Sequence, residues 1–148
     1  MKILKALAAL ALAAAITALS ALGAEELDAA PAMAAAQAWL THVDAGRYAQ
    51  SWDESAALFR DSVAKVQWQN KLDSLRTPLG VVITRKLLRA DYAQKLEGVP
   101  DGEYVVIQFE TRFSNRPQAI ETVTPMREKD GSWKVAGYFI KFVAGANS

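Results

Sequence analysis

The sequence predicts an α+β fold, with three N-terminal helices packed on a curved, four-stranded antiparallel sheet of meander order. Three observations predict it. Apolar residues recur with a helical period from Pro31 to Leu75 and with a period of two after Gly80. No helical pattern returns between the strand patterns, so the alternating order of a parallel sheet is excluded. Asp130-Gly131 between two alternating runs marks a tight antiparallel hairpin.

The first helix opens near Pro31, a residue suited to a first turn, and carries Ala36, Trp39, Leu40 and Val43 on one stripe before Gly46 ends it. A second has Tyr48, Trp52, Ala56 and Phe59 on its inner side. Asp61-Ser62 can cap a third, whose stripe is Ala64, Trp68, Leu72 and Leu75. Thr77-Pro78 stops it, because the residue before proline is pushed out of the helical region. Trp39, Trp52 and Trp68 are most simply core, each able to bury about 150–250 Å².

The strands are expected at Val81–Leu96, Glu103–Phe113, Ala119–Glu128 and Trp133–Phe142. The second alternates most cleanly, with Val105, Ile107, Phe109, Thr111 and Phe113 on one face. A two-residue loop at Asn115-Arg116 would oppose Glu110 to Glu121, like charge to like. A four-residue loop, Asn115 to Gln118, instead opposes Arg112 to Glu121 and is preferred. Both loops give the same faces, since the registers differ by an even number. The inner face then gathers Leu88, Ala90, Tyr92 and Leu96, then Ile120, Thr122, Thr124 and Met126, then Trp133, Val135, Gly137 and Phe139. The outer face gathers Arg85, Arg89, Lys95, Tyr104, Val106, Gln108, Glu110, Arg112, Glu121, Val123, Tyr138 and Ile140. Pro125 cannot donate to a ladder, so the third strand is expected to be broken or bulged there.

Residues 1–24 read as a signal peptide: Lys2 and Lys5, an apolar run from Ala6 to Leu22, then small residues offering cleavage after Gly23 or after Ala24. Residues 25–32 form a flexible lead-in, 33–143 one domain and 144–148 a tail. The leader predicts an exported, periplasmic or extracellular protein. Its apolar run is short for a span, so no membrane attachment is expected after cleavage, and without cysteine there is no lipoprotein anchor. Losing both leader lysines leaves 15 basic residues against 16 acidic, a net charge of −1. That is no footprint for nucleic acid. The absence of cysteine also excludes a disulfide framework, so stability has to come from the core.

Ala38-Trp39-Leu40, Val43-Asp44-Ala45-Gly46, Tyr48 and Ser51-Trp52 resemble the bacterial family called domain of unknown function 4019. So do Trp68, Arg76 with Pro78-Leu79-Gly80, Arg85, Pro100 to Tyr104, Glu121-Thr122, Asp130-Gly131 with Trp133, and Gly137-Tyr138. The resemblance covers the whole mature chain and implies a small exported protein, with no catalytic or ligand residue to carry over. The layout is also similar to the cone-shaped barrel of nuclear transport factor two and ketosteroid isomerase, although those folds usually interrupt their helices with strands.

No catalytic motif emerges. His42 is the single histidine and, with no cysteine, no metal-ligand spacing surrounds it. Isomerase-like chemistry needs a carboxylate and a hydrogen-bonding acid inside one apolar pocket. The inner face offers threonines and, as its one acidic hydroxyl, Tyr92; Asp44 and Asp53 are more simply solvated or capping residues. No cofactor is implied.

Two binding surfaces stand out. Tyr92, Thr111, Thr122, Thr124 and Gly137 could line an inner pocket, with room at Gly137 opposite Thr124. On the outer face, Tyr104, Val106, Val123, Tyr138 and Ile140 form an apolar strip beside Arg85, Arg89, Arg112 and Glu121, a surface suited to a homodimer or an envelope protein partner. The expected function is a non-catalytic binding or protein-interaction module. The alternative is a small-molecule enzyme of cone-barrel type, using an inward carboxylate or tyrosine.

Overall fold

The computed structural model describes residues 29–144. The expected leader, its cleavage sites and the last four residues of the tail lie outside the described residues.

Helix α1 covers residues 29–44. Its expected stripe is buried, and Ala32 joins it in the core, so the last residues assigned to a flexible lead-in are helical instead. Gly46 ends the helix with φ of 76°, and the Arg47 N–H reaches back to the His42 carbonyl at 2.8 Å. Only a residue without Cβ takes this left-handed turn at no steric cost.

The single helix expected around Tyr48–Phe59 is two: α2, Tyr48–Asp53, and α3, Ala57–Ser62. Ala56 between them is extended, and its N–H donates to the Val135 carbonyl at 2.8 Å. A hydrogen bond to the sheet has replaced one along the helix. Because α3 runs through Ser62, whose hydroxyl donates to the Leu58 carbonyl, Asp61-Ser62 does not cap the next helix. That helix, α4, is Lys65–Arg76, and a single 3-10 turn, Thr77–Leu79, follows it at the proline as expected. Gly80 turns the chain into the sheet with φ of 77°; a Cβ there would lie 2.0 Å from the Ser114 hydroxyl, which accepts from the Val81 N–H.

The sheet is β1 Val82–Ala93, β2 Tyr104–Phe113, β3 Arg116–Arg127 and β4 Trp133–Phe142, all antiparallel in the order β1-β2-β3-β4. It is open, with β1 and β4 as edges, so it does not close into a cone-shaped barrel. The α+β class, the strand order and the inner face of β2 are as the sequence predicts.

Along the other strands Ala90, Tyr92 and Val135 keep the inner side predicted for them, but much of the remaining face assignment differs, and β-bulges are the reason. Each inserts one residue and exchanges the two faces beyond it. In β1, Ile83 and Leu88 are the extra residues, since Leu87 pairs with Phe109 and Arg89 with Gln108. Arg85 therefore pairs with Thr111 and turns inward. In β3, Pro117 and Gln118 together oppose Arg112, so Glu121 pairs with Phe109 rather than with Arg112 and also turns inward. In β4, Ala136 is the extra residue opposite the Thr124–Pro125 step, the place where proline was expected to disturb the ladder. Tyr138 and Ile140 consequently face the helices, while Phe139 is 62% exposed.

The core lies between the helices and β2–β4, where Trp39, Trp68 and Phe59 pack edge to face or tilted against one another. Their polar atoms are satisfied: Trp39 Nε1 donates to the Ser51 carbonyl and Ser55 Oγ, and Trp68 Nε1 to Ser51 Oγ. Trp52, partly buried, donates to the Val63 carbonyl at 2.7 Å. This ties α1, α2 and α4 together through two small buried serines.

Candidate functional site

The inward bulges bring four charges and a phenol together where α1, α4 and the sheet meet. Asp44 comes from the last turn of α1, Arg76 from the last turn of α4, Arg85 from β1, Glu121 from β3 and Tyr138 from β4. Glu121 is fully buried. Its Oε1 accepts from Arg85 Nε at 2.8 Å and from the Thr111 hydroxyl; its Oε2 accepts from Arg85 Nη2 at 3.2 Å and from the Tyr138 hydroxyl. Arg85 spans the cluster, because its Nη1 and Nη2 also donate to Asp44 at 2.7 and 3.0 Å. Arg76 donates to Asp44 at 2.8 Å and to the Tyr138 oxygen at 3.4 Å, with its guanidinium stacked 4.9 Å from the Phe113 ring centroid. Its Nε is buried without a hydrogen-bond partner.

Two arginines against two carboxylates make the cluster neutral. Burial alone would raise the Asp44 pKa, but the hydrogen bonds from Arg85 and Arg76 outweigh it and hold the carboxyl below the usual aspartate value. Burial, and then the Glu121 charge, push the Tyr138 phenol well above its ordinary value. Arg85 is held above the ordinary arginine value, since its hydrogen bonds to Asp44 and Glu121 exceed the cost of burying it. A carboxylate accepting four hydrogen bonds has no lone pair left to take a proton from a substrate. Glu121 thus ties all four strands together, through Arg85 of β1, Thr111 of β2 and Tyr138 of β4, and Arg85 carries the linkage on to Asp44 of α1, which also holds Arg76 of α4.

The profile of the family described as protein of unknown function (DUF4019) matches residues 35–138. This chain belongs to the DUF4019 family. No curated protein matches it. Five of the residues that carry the resemblance, Asp44, Arg76, Arg85, Glu121 and Tyr138, are the charged and phenolic members of the cluster.

In this DUF4019 chain the expected outer strip is not one surface. Glu121, Val123, Tyr138, Ile140 and Arg85 face the helices, for the parity reason given above. Tyr104 does lie on the outer face but is buried, its hydroxyl donating to the Pro100 carbonyl at 2.6 Å. Val106, Arg89 and Arg112 keep the outward position predicted for them. The expected pocket is likewise divided. Thr111 is fully buried against Glu121, whereas Thr122 and Thr124 are outward, with Thr122 accepting from Gln108 Nε2 at 3.3 Å. Gly137 does pair with Thr124 and has open space around its Cα, but on the outer face. Tyr92 is 48% exposed on β1, its hydroxyl donating to Glu103.

The sequence does not mark Arg76 as a buried group, and it reads Asp44 as a solvated or capping residue, whereas both belong to the cluster. One signal was available: Arg76 stands four residues after Leu72 and eight after Trp68, in line with the apolar stripe of α4. His42 sits between Glu54, 2.8 Å from its Nε2, and the Arg47 Nε, which donates to its Nδ1 at 3.2 Å. Among the described residues no group of three or more histidine, cysteine or acidic side chains could hold a metal ion. Nor is any described helix long and apolar enough to cross a membrane.

Proposed function

We propose that the protein is exported and acts as a non-catalytic interaction module, with β1 as its contact edge and a second copy of the chain as its partner. One observation carries the reading. Ile83, Leu87, Leu88 and Tyr92 of β1, with Val81 just before it, are each between 48% and 67% exposed. A twelve-residue edge strand with this much bare apolar surface is an association site unless something covers it.

The charges on β1 favour a second copy. Antiparallel pairing of two β1 edges about Ala90 sets Arg89 of each copy opposite Asp91 of the other, and Leu88 opposite Tyr92. Within one chain Arg89 and Asp91 make only an exposed contact at 3.3 Å, which can be exchanged at little cost. The leader supports export.

The competing reading, a small-molecule enzyme, draws on the inward carboxylate of Glu121. That group is saturated by four donors, which favours the interaction reading.

Sedimentation velocity across a concentration series tests the proposal. A dimer that Leu88→Lys converts to monomer is the expected result. A species that stays monomeric on the order of 100 µM, where even weak dimers form, refutes self-association. Export is tested by the mass of the secreted protein, which should begin at Ala24 or Glu25; a product retaining Met1 to Gly23 overturns it.

A further inference from the structure

The helices pack on one face of the sheet only, and the register fixes which charges stand on the other. Lys86, Arg89 and Asp91 of β1 lie beside Glu110, Gln108 and Val106 of β2, on the side away from Phe109, and Arg112 shares that side. Across β3 and β4, Lys141 lies beside Ile120, Phe139 beside Thr122 and Lys134 beside Met126, again on the outer side.

The chain as a whole is close to neutral, but this face carries the five cations just named against two acids. Each acid already has a cation. Asp91 is 3.3 Å from Arg89, and Glu110 is directly opposite Lys86. Arg112, Lys134 and Lys141 are left over, and among the described residues none of them makes an ion pair. On β3 and β4 the outer side holds no acid at all.

Two further features indicate what lies against this surface. Phe139 is 62% exposed and stands between Lys134 and Lys141 on the same side of the edge strand β4. A bare ring flanked by long cationic side chains suits a lipid interface, where the ring enters and the ammonium heads stay with the headgroups. The excess cations are also spread out. The rows holding Arg112 and Lys134 are eight residues apart along β2, about 26 Å at about 3.3 Å per residue. A folded partner would need acids matched over that whole span, whereas a negatively charged plane meets all three cations at once. A second copy stacked on this face would set like charge against like.

We propose that the outer face of the sheet docks on an anionic lipid surface. The Phe139 ring enters the headgroup region, and Arg112, Lys134 and Lys141 meet the lipid phosphates. The contact is peripheral and needs no membrane span. It does not depend on pairing at β1, so a monomeric protein leaves it standing.

Co-sedimentation of the purified protein with vesicles tests the proposal. Phosphatidylcholine vesicles containing about one-third phosphatidylglycerol should bind at least about tenfold more tightly than phosphatidylcholine alone at low salt. That preference should vanish near 1 M salt, where screening acts within about 3 Å. Lys134→Gln with Lys141→Gln should weaken binding about 25-fold, at about fivefold per cation. Phe139→Ala should weaken it about tenfold, and both variants should keep the parent's urea midpoint. Equal binding to the two kinds of vesicle, unchanged binding by the variants, or no binding at about 10 mM lipid overturns the proposal. So does tighter binding of soluble polyaspartate than of the anionic vesicles, which would make the partner an acidic protein.

Discussion

Replacing Glu121 by leucine tests whether the buried cluster holds the helices to the sheet. The change removes a charge with no exposure and four hydrogen bonds at once. Arg85 keeps Asp44, so its loss is partial. The Thr111 and Tyr138 hydroxyls lose the acceptor they donate to, at about 1–3 kcal/mol for each buried group left unsatisfied. Leucine returns some apolar burial but does not match the shape of the vacated fork. Breaking a buried ion pair from one side costs about 3–5 kcal/mol, and the same figure is expected here. That is a large share of the 5–15 kcal/mol typical of a whole domain. Urea unfolding followed by tryptophan emission measures it directly, since Trp39 and Trp68 report on the adjoining core. Adding Arg85→Met to Glu121→Leu should cost less than the two single changes summed, because each alone strands the other's partner. A loss below about 1 kcal/mol for Glu121→Leu, the size of an ordinary surface effect, would refute the closed cluster.

Two further outcomes follow from the same geometry. Phe109→Ala should destabilise by about 3–5 kcal/mol, whereas Phe139→Ala should change stability by no more than about 0.5 kcal/mol, because Phe109 is buried in the core and Phe139 points to solvent; equal losses in urea melts would mean the faces of β4 are misassigned. The Asp44 carboxyl, held below its ordinary value of 3.8, binds fewer protons in the folded than in the unfolded chain. Its contribution is therefore complete above the unfolded value and disappears as pH falls through the lower folded one. Urea midpoints measured from neutral to acid pH should fall less steeply below pH 3.8 in Asp44→Asn than in the parent; identical acid limbs would mean that Arg76 and Arg85 do not hold Asp44.

The class, the order of elements and the burial of Trp39, Trp68 and Phe109 were legible because hydrophobic period and turn chemistry act over a few residues. The split between α2 and α3 was not, since nothing local at Ala56 announces a hydrogen bond to Val135. The cluster was illegible for a sharper reason. Strand periodicity assigns a face by counting in twos, and Leu88, Pro117–Gln118 and Ala136 each add one to the count. Past each of them every assignment reverses, so Arg85, Glu121 and Tyr138 were each read as outward for the same arithmetic reason. Like-charge avoidance at Glu110 was a sound local rule, but the bulge had already separated Glu110 from Glu121, which pair with Ile120 and Phe109.

The bulge at Pro117–Gln118 also restricts how this hairpin can change in length. Insertion or deletion of a single residue between Thr111 and Ala119 rotates β3 by half a turn about its axis, evicting Glu121 into solvent and driving Thr122 against the tryptophans. A change of two residues restores the phase and disturbs only the loop. Sequences built on this sheet should accordingly tolerate variation here in even steps and resist it in odd ones, which makes one spare residue in an exposed turn as constraining as any side chain in the core.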